Sequence, residues 1–162
     1  MTKEAQFKLI YKNSKDKVYR LCLGFMGNKA SADDLFQEVL LKIWQHLDNF
    51  RQESTMATWV YRITVNTALY TLNQEKKRQQ HKDDFKFILK ETTTQEITDG
   101  KQQQVKKLYQ TIATLKEIDR ILIGLLLEGC SYAEIATITE LSISNVGVRI
   151  NRIKKILNKK LN

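Results

Sequence analysis

The chain has 162 residues, with 27 Lys and Arg against 18 Asp and Glu, a net charge of +9, no proline and two cysteines. Hydrophobic residues at 42% and charged residues at 28% are the proportions of a globular protein, which excludes wholesale disorder. The longest apolar run, Ile121 to Leu127 with its glycine, is about a third of the ~20 residues that a membrane-spanning helix needs.

The first segment opens on Met1-Thr2-Lys3-Glu4-Ala5-Gln6-Phe7, which lacks the apolar core of a signal peptide and leads us to expect a cytoplasmic protein. Phe7, Tyr11, Ser14, Val18, Cys22 and Phe25 recur at steps of three or four, predicting one buried helix face that stops at Gly27-Asn28. Ser31 with Asp34 reads as a capping box. The helix behind it carries Leu35, Val39, Ile43 and Leu47 on one stripe, with Phe36, Leu40 and Trp44 beside it. Residues 48–56 have no stripe and read as a loop. A third helix is predicted from Ala57 to Leu72, with Val60, Ile63 and Thr67 inward. Residues 73–104 hold only five strong hydrophobics, Phe85, Phe87, Ile88, Leu89 and Ile97. That apolar area does not offset the entropy of ordering the segment, so a flexible linker is expected, with a short helix at Phe85 to Leu89. Order returns at Val105, whose stripe continues through Leu108, Ile112 and Leu115. Ile118, Ile121, Leu122 and Leu125 form the next stripe, ended by Gly129. Ser131 and Glu134 make a second capping box on a short helix, Tyr132 to Thr139. After a break at Glu140 to Ser142, the last helix carries Val146, Ile150, Ile153 and Leu157 inward. The expected fold is all-α, two small helical modules (1–72 and 105–162) joined by a polar linker (73–104).

The charge is unevenly placed. From Leu141 onward there are basic residues, among them Arg149, Arg152, Lys154 and Lys155, and no acidic ones. A solvated polar face is one reading of that helix. A short capped helix, a tight break and a longer basic helix are also the layout of a helix-turn-helix, whose second helix enters the major groove. Ser142, Ser144, Asn145, Arg149 and Arg152 supply hydrogen-bonding groups for such a role. Between Asp33 and Glu53, by contrast, acids outnumber bases, a surface suited to protein rather than to duplex phosphate. Phe50, Trp59, Tyr61 and Tyr70, interleaved with Arg51, Arg62 and Asn66, read either as core rings or as a platform for unstacked bases.

Motifs for catalysis are missing. The sequence holds no glycine-rich phosphate loop, no HExxH and no Cys/His cluster at ligand spacing, so neither an active site nor a bound metal or cofactor is expected. Cys22 and Cys130 stand in no CxxC pattern and are expected buried and reduced. Asp33-Asp34 are neighbours that diverge by about 100° on a helix. A nucleic-acid enzyme with metal on Asp33, Asp34 and Glu38 is therefore a weak rival. A stand-alone helix-turn-helix regulator is the better alternative.

Taken together, these residues resemble the sigma factors of bacterial RNA polymerase, in the extracytoplasmic-function (ECF) group that keeps only regions two and four. The first module carries the likeness in Asp33-Asp34-Leu35-Phe36-Gln37-Glu38, Leu47-Asp48-Asn49-Phe50-Arg51, Thr58-Trp59-Val60-Tyr61-Arg62-Ile63 and Val65-Asn66-Thr67-Ala68. The second carries it in Leu115 with Arg120, Glu128-Gly129-Cys130-Ser131-Tyr132, Glu134-Ile135-Ala136, Ser142, Val146, Arg149 and Arg152. The resemblance implies that Asp34, Gln37 and Glu38 bind core RNA polymerase. It implies that Asn49, Phe50, Arg51, Trp59, Arg62 and Asn66 meet the minus-ten element, with Phe50 and Asn66 cradling a flipped base. Ser144, Asn145, Val148, Arg149, Asn151 and Arg152 would read the minus-thirty-five element, and an anti-sigma factor is an implied partner. Three positions depart from the family: Lys116 for a proline, Glu140 for a turn glycine, and Gly147 where relatives usually carry Lys or Arg.

Overall fold

The computed structural model describes residues 1–81 and 100–162; the short helix expected at Phe85 to Leu89 lies outside them. The described chain folds into α1 (Lys3–Met26), α2 (Lys29–His46), a 3-10 turn (Leu47–Asn49), α3 (Met56–His81), α4 (Gly100–Ala113), α5 (Glu117–Leu127), α6 (Tyr132–Thr139) and α7 (Ile143–Leu161).

Helix α1 starts on Thr2, whose side chain accepts from the Ala5 N–H, and ends at Gly27 in the left-handed region at φ 81°. A Cβ at Gly27 would stand 2.7 Å from that of Ala113, so both backbone conformation and space demand glycine. The capping box expected at Ser31 is not formed. Asn28 caps α2 instead, its side chain accepting from the Ser31 N–H at 2.8 Å. Asparagine caps as well as serine, so the helix starts directly after the glycine turn, one turn earlier than expected. Thr55 caps α3 by accepting from the Thr58 N–H. That helix runs nine residues past Leu72, because 73–81 contains only residues that tolerate a helix and neither glycine nor proline. Lys76 pairs with Glu117 at 2.9 Å and ties this extension to the start of α5. Likewise α4 begins at Gly100, before Val105.

The buried face of α1 is wider than its predicted stripe: Ile10, Val18, Leu21, Cys22 and Phe25 are buried, while Tyr11 is exposed. The reason is that α1 lies at the centre, packed on α2, α3, α4 and α5. Its stripe therefore faces the first module on one side and the second on the other. On α4, Val105 is exposed and only Ile112 is fully buried. The stripes of α2 (Leu35, Val39, Ile43, continued by Leu47 of the 3-10 turn) and α7 (Val146, Ile150, Ile153, Leu157) are buried as expected.

The two modules share one continuous apolar core. At the seam, α5 crosses α1 over Gly124, where an added Cβ would lie 3.2 Å from Leu21 and 3.5 Å from Phe25. Polar contacts flank this packing. Arg20 forks onto Glu128 at 2.7 and 2.8 Å. Arg120 donates to the Phe25 carbonyl at 2.6 Å and Arg62 to the Thr137 carbonyl at 3.1 Å. Helix α5 ends in a Schellman turn: Gly129, at φ 89°, donates to the Leu126 carbonyl and Cys130 to that of Leu125. The capping box of α6 forms as expected, Ser131 and Glu134 bonding each other's backbone N–H groups. Cys22 and Cys130 are buried and unbridged.

Candidate functional site

Three surfaces carry the residues singled out in the sequence. The first is the outer face of α2. Asp34, Gln37 and Glu38 follow at steps of three and one, so they share a face. All three are exposed, and none makes a hydrogen bond or ion pair among the described residues. Asp33 beside them turns inward and accepts from the Tyr19 hydroxyl at 2.7 Å, which pushes the Tyr19 pKa up to about 12. Among the described residues no group of His, Cys, Asp and Glu is placed to hold a metal ion.

The second surface lies between α2 and α3. A cavity of about 450 Å³ is lined by Asn49, Trp59 and Asn66, together with Glu38, Lys42 and Tyr70. The helical spacing of Trp59, Ile63, Asn66 and Tyr70 lines up their side chains along one side of α3. Phe50 is not in this cavity. Its ring stands 5.1 Å from that of Trp59, tilted by 56°, and it opens instead onto a neighbouring cleft with Met56, Val60 and Tyr61. Phe50 and Asn66 therefore flank Trp59 rather than facing each other. The loop leading to Met56 is held by Gln52 at φ 59°, an uncommon conformation for a non-glycine residue. Arg51 is exposed. Arg62 points away from the cavity to the Thr137 carbonyl of α6, and its buried Nε has no hydrogen-bond partner. Of the rings left open between core and platform, Tyr61 is core; burial pushes its pKa up to about 12. Trp59 is half-buried and Tyr70 is 66% exposed. Sequence reasoning placed Tyr70 among the aromatics without assigning it to this site. Lys42 gave no signal beyond its charge.

The third surface is α7. Ser142 caps it by accepting from the Asn145 N–H. Glu140, in the turn before it, sits at φ 62°, so the turn keeps the left-handed conformation that a glycine would take more easily. Ser144, Val148, Asn151 and Arg152 form an exposed stripe opposite the buried one. Val148, 66% exposed, offers an apolar contact of the kind a thymine methyl accepts. The arginines do not simply extend into solvent. Arg149 donates from Nε to Asn145 Oδ1 at 3.0 Å. Both Arg149 and Arg152 lie beside the buried Asp119 of α5, at 3.8 and 3.9 Å. Asp119 was not singled out in the sequence, since nothing in its spacing connects it with a helix some thirty residues on.

Known proteins share this arrangement. The chain matches the model of sigma-70 region 2 over residues 10–78 and that of sigma-70 region 4 over residues 106–157. It is 30% identical to the RNA polymerase sigma-H factor of Pseudomonas aeruginosa over 96% of this chain and 86% of that protein. It is 31% identical to the ECF RNA polymerase sigma-E factor of Escherichia coli over the same shares. The fold is similar to that of the sigma factor RpoE from Bartonella quintana, solved with the anti-sigma factor NepR. That comparison has a TM-score of 0.75 at 21% identity and covers 96% of each chain. A second solved structure, CnrH with the cytosolic domain of CnrY, gives 0.69 at 19% identity, over 98% of this chain and 88% of that one. The order of the two regions, the helices that form them and these matches lead to one conclusion: the chain belongs to the sigma-70 family of RNA polymerase sigma factors, in its ECF group.

Proposed function

We propose that the chain binds core RNA polymerase, brings it to a small set of promoters and helps open the duplex there, without being an enzyme itself. Residues 1–72 act as region two and 105–162 as region four. The observation that carries this reading is a pair of exposed faces of opposite chemistry on one fold. The α2 face (Asp34, Gln37, Glu38) is acidic and free of internal partners, which suits a protein partner and repels phosphate. The α7 stripe (Ser144, Asn145, Val148, Arg149, Asn151, Arg152) carries donors and an apolar contact for base edges of the minus-thirty-five element. Its lysines add salt-dependent attraction to phosphate. The cavity of Asn49, Trp59 and Asn66, with Phe50 on the far side of Trp59 and Arg51 exposed in the loop beside Phe50, offers a ring and amide groups to an unstacked base of the minus-ten element. Holding that base offsets a few kcal/mol of the melting cost. Arg62 supports this surface from behind, through its bond to α6. By likeness to the Bartonella quintana complex, an anti-sigma factor is a partner, and the site of action is the cytoplasm. No described helix is long and apolar enough to cross a membrane.

Run-off transcription on fragmented genomic DNA of the source organism, with its core polymerase and with or without this chain, tests the reading. New start sites that share two spaced upstream motifs support it. No new starts, with tight duplex binding by the chain alone, would establish a stand-alone regulator instead.

A further inference from the structure

Two arginine–carboxylate contacts in this molecule are built differently. Arg20 closes on Glu128 as a two-pronged fork at 2.7 and 2.8 Å, the short bidentate geometry of a structural pair. Asp119 is 4% exposed, more deeply buried than almost any charged side chain, yet its nearest cations stop short of it. Arg149 Nη1 lies 3.8 Å and Arg152 Nη2 3.9 Å from Asp119 Oδ1, and that oxygen is buried with no hydrogen-bond partner. Those separations exceed hydrogen-bond length, so the attraction is through space and uses none of the guanidinium N–H donors.

Three consequences follow from this placement. Asp119 is in the first turn of α5, where the positive end of the helix dipole favours its charge. It approaches α7 from beneath, between two cations three residues apart that would otherwise repel each other. Asn145 Oδ1 then accepts a hydrogen bond from the Arg149 Nε–H, which fixes the direction of the guanidinium plane and leaves its terminal nitrogens unspent. Arg149 and Arg152, two of the side chains on the helix read as facing DNA, are thus gathered by one carboxylate, and Asn145 is tied to the pair through Arg149.

We propose that Asp119 is the positioning residue of the recognition helix: it sets where Arg149 and Arg152 aim, and so which base pairs are read, rather than how strongly the chain is drawn to DNA. This rests on the reading of α7 as the DNA-contacting helix. The Asp119→Asn change keeps the shape and removes the charge. Freed of their shared anion, the two arginines reach for phosphates, which are everywhere, instead of for base edges.

The test uses the full chain assembled with core polymerase and a duplex library randomised over the upstream element, selected at fixed salt and sequenced. The readout is the enrichment of the wild-type motif over unselected sequences, a ratio that partial loss of folded protein does not move. Asp119→Asn lowers that enrichment about tenfold, the value of one good base contact. Retention of unselected DNA does not fall with it, and Asp119→Glu restores the motif. In an Arg149→Ala/Arg152→Ala background, adding Asp119→Asn changes the enrichment no further. An unchanged motif in Asp119→Asn overturns the inference. So does an equal loss in the background lacking both arginines, which would make Asp119 a residue of the fold alone. If the wild-type chain enriches no motif, the DNA reading of α7 fails first, before any substitution is considered.

Discussion

Where α1 meets α5, Leu21, Phe25, Ile121 and Leu125 are fully buried and the helices approach over a glycine. Most polar groups at that seam are spent, Arg20 on Glu128 and the Arg120 terminal nitrogen on the Phe25 carbonyl, although the buried Arg120 Nε has no partner. On the outer faces of α2 and α7 several side chains keep donors and acceptors open, although Arg149 bonds Asn145 and Lys160 bonds Thr114. Asp34, Gln37 and Glu38 have no partner among the described residues, and Arg152 leans on Asp119 without a hydrogen bond. The difference separates what holds the molecule together from what it offers to others. Groups already bonded inside would have to be released before binding, at about 1–3 kcal/mol each. Groups left open meet a partner at no such cost.

If the seam carries the stability, damage there is the most costly. Phe25 is fully buried, and the Phe25→Ala variant should lose about 3–5 kcal/mol of unfolding free energy. Urea denaturation, read as a fall in midpoint at constant slope, checks this. A loss under about 1 kcal/mol would mean that the halves are held elsewhere.

Alkali attacks the same core. Burial pushes the Cys22 thiol up to about 12 and the Cys130 thiol up to about 11. Unfolded, both ionise nearer 9, so above that pH the unfolded chain has lost protons that the native chain keeps. Stability is full below pH 9 and falls as pH rises toward 11, by about 1.4 kcal/mol per unit for each thiol. Urea midpoints between pH 8 and 10 should show that decline, and it should flatten there in the Cys22→Ala/Cys130→Ala variant, whereas above pH 10 the raised Tyr19 and Tyr61 hydroxyls continue it.

Removing the latch beside the core should cost less. The Glu128 side chain is 5% exposed and that of Arg20 44%. The Arg20→Ala variant strands the carboxylate, but water reaches the vacated side. Its expected cost is about 1–2 kcal/mol, below that of a fully buried pair. A loss as large as that of Phe25→Ala would move the latch into the core itself.

The helices, their order and most of their buried stripes were legible in the sequence, because spacing of three and four reports a buried face directly. So was the Ser131–Glu134 box; Glu140 stood out only as a departure from a turn glycine, which left another conformation or a positive φ equally open, and the structure takes the positive φ. The start of α2 was misplaced because Asn28 and Ser31 are both competent caps and only the backbone geometry decides between them. The reach of α3 to His81 was missed for lack of apolar residues, although the Lys76–Glu117 pair supports it without any. Tyr61 could be core or platform from its neighbours alone, and only the seam settles it. Asp119 was invisible for a similar reason. Its meaning depends on α5 and α7 crossing, which no local pattern encodes.

The smallest effect tests the outward side of the comparison. Gly147 is the fifth residue of α7, two residues from both Asn145 and Arg149, where the family resemblance leads us to expect Lys or Arg. Its space is not tight: a Cβ there would stand 3.7 Å from the Tyr132 ring, an ordinary contact. Alanine is therefore expected to stabilise the fold by about 0.5–1 kcal/mol, the gain of replacing glycine inside a helix. The resemblance puts Lys or Arg, and so a Cβ, at this position, and here the methyl would rest on the Tyr132 ring, so it closes no outward space. Gly147→Ala should therefore raise the urea midpoint and leave upstream-element binding unchanged, with the neighbouring arginines reading unaided. Weaker binding in the Gly147→Ala variant would show instead that DNA comes within a methyl's reach of the helix at Gly147.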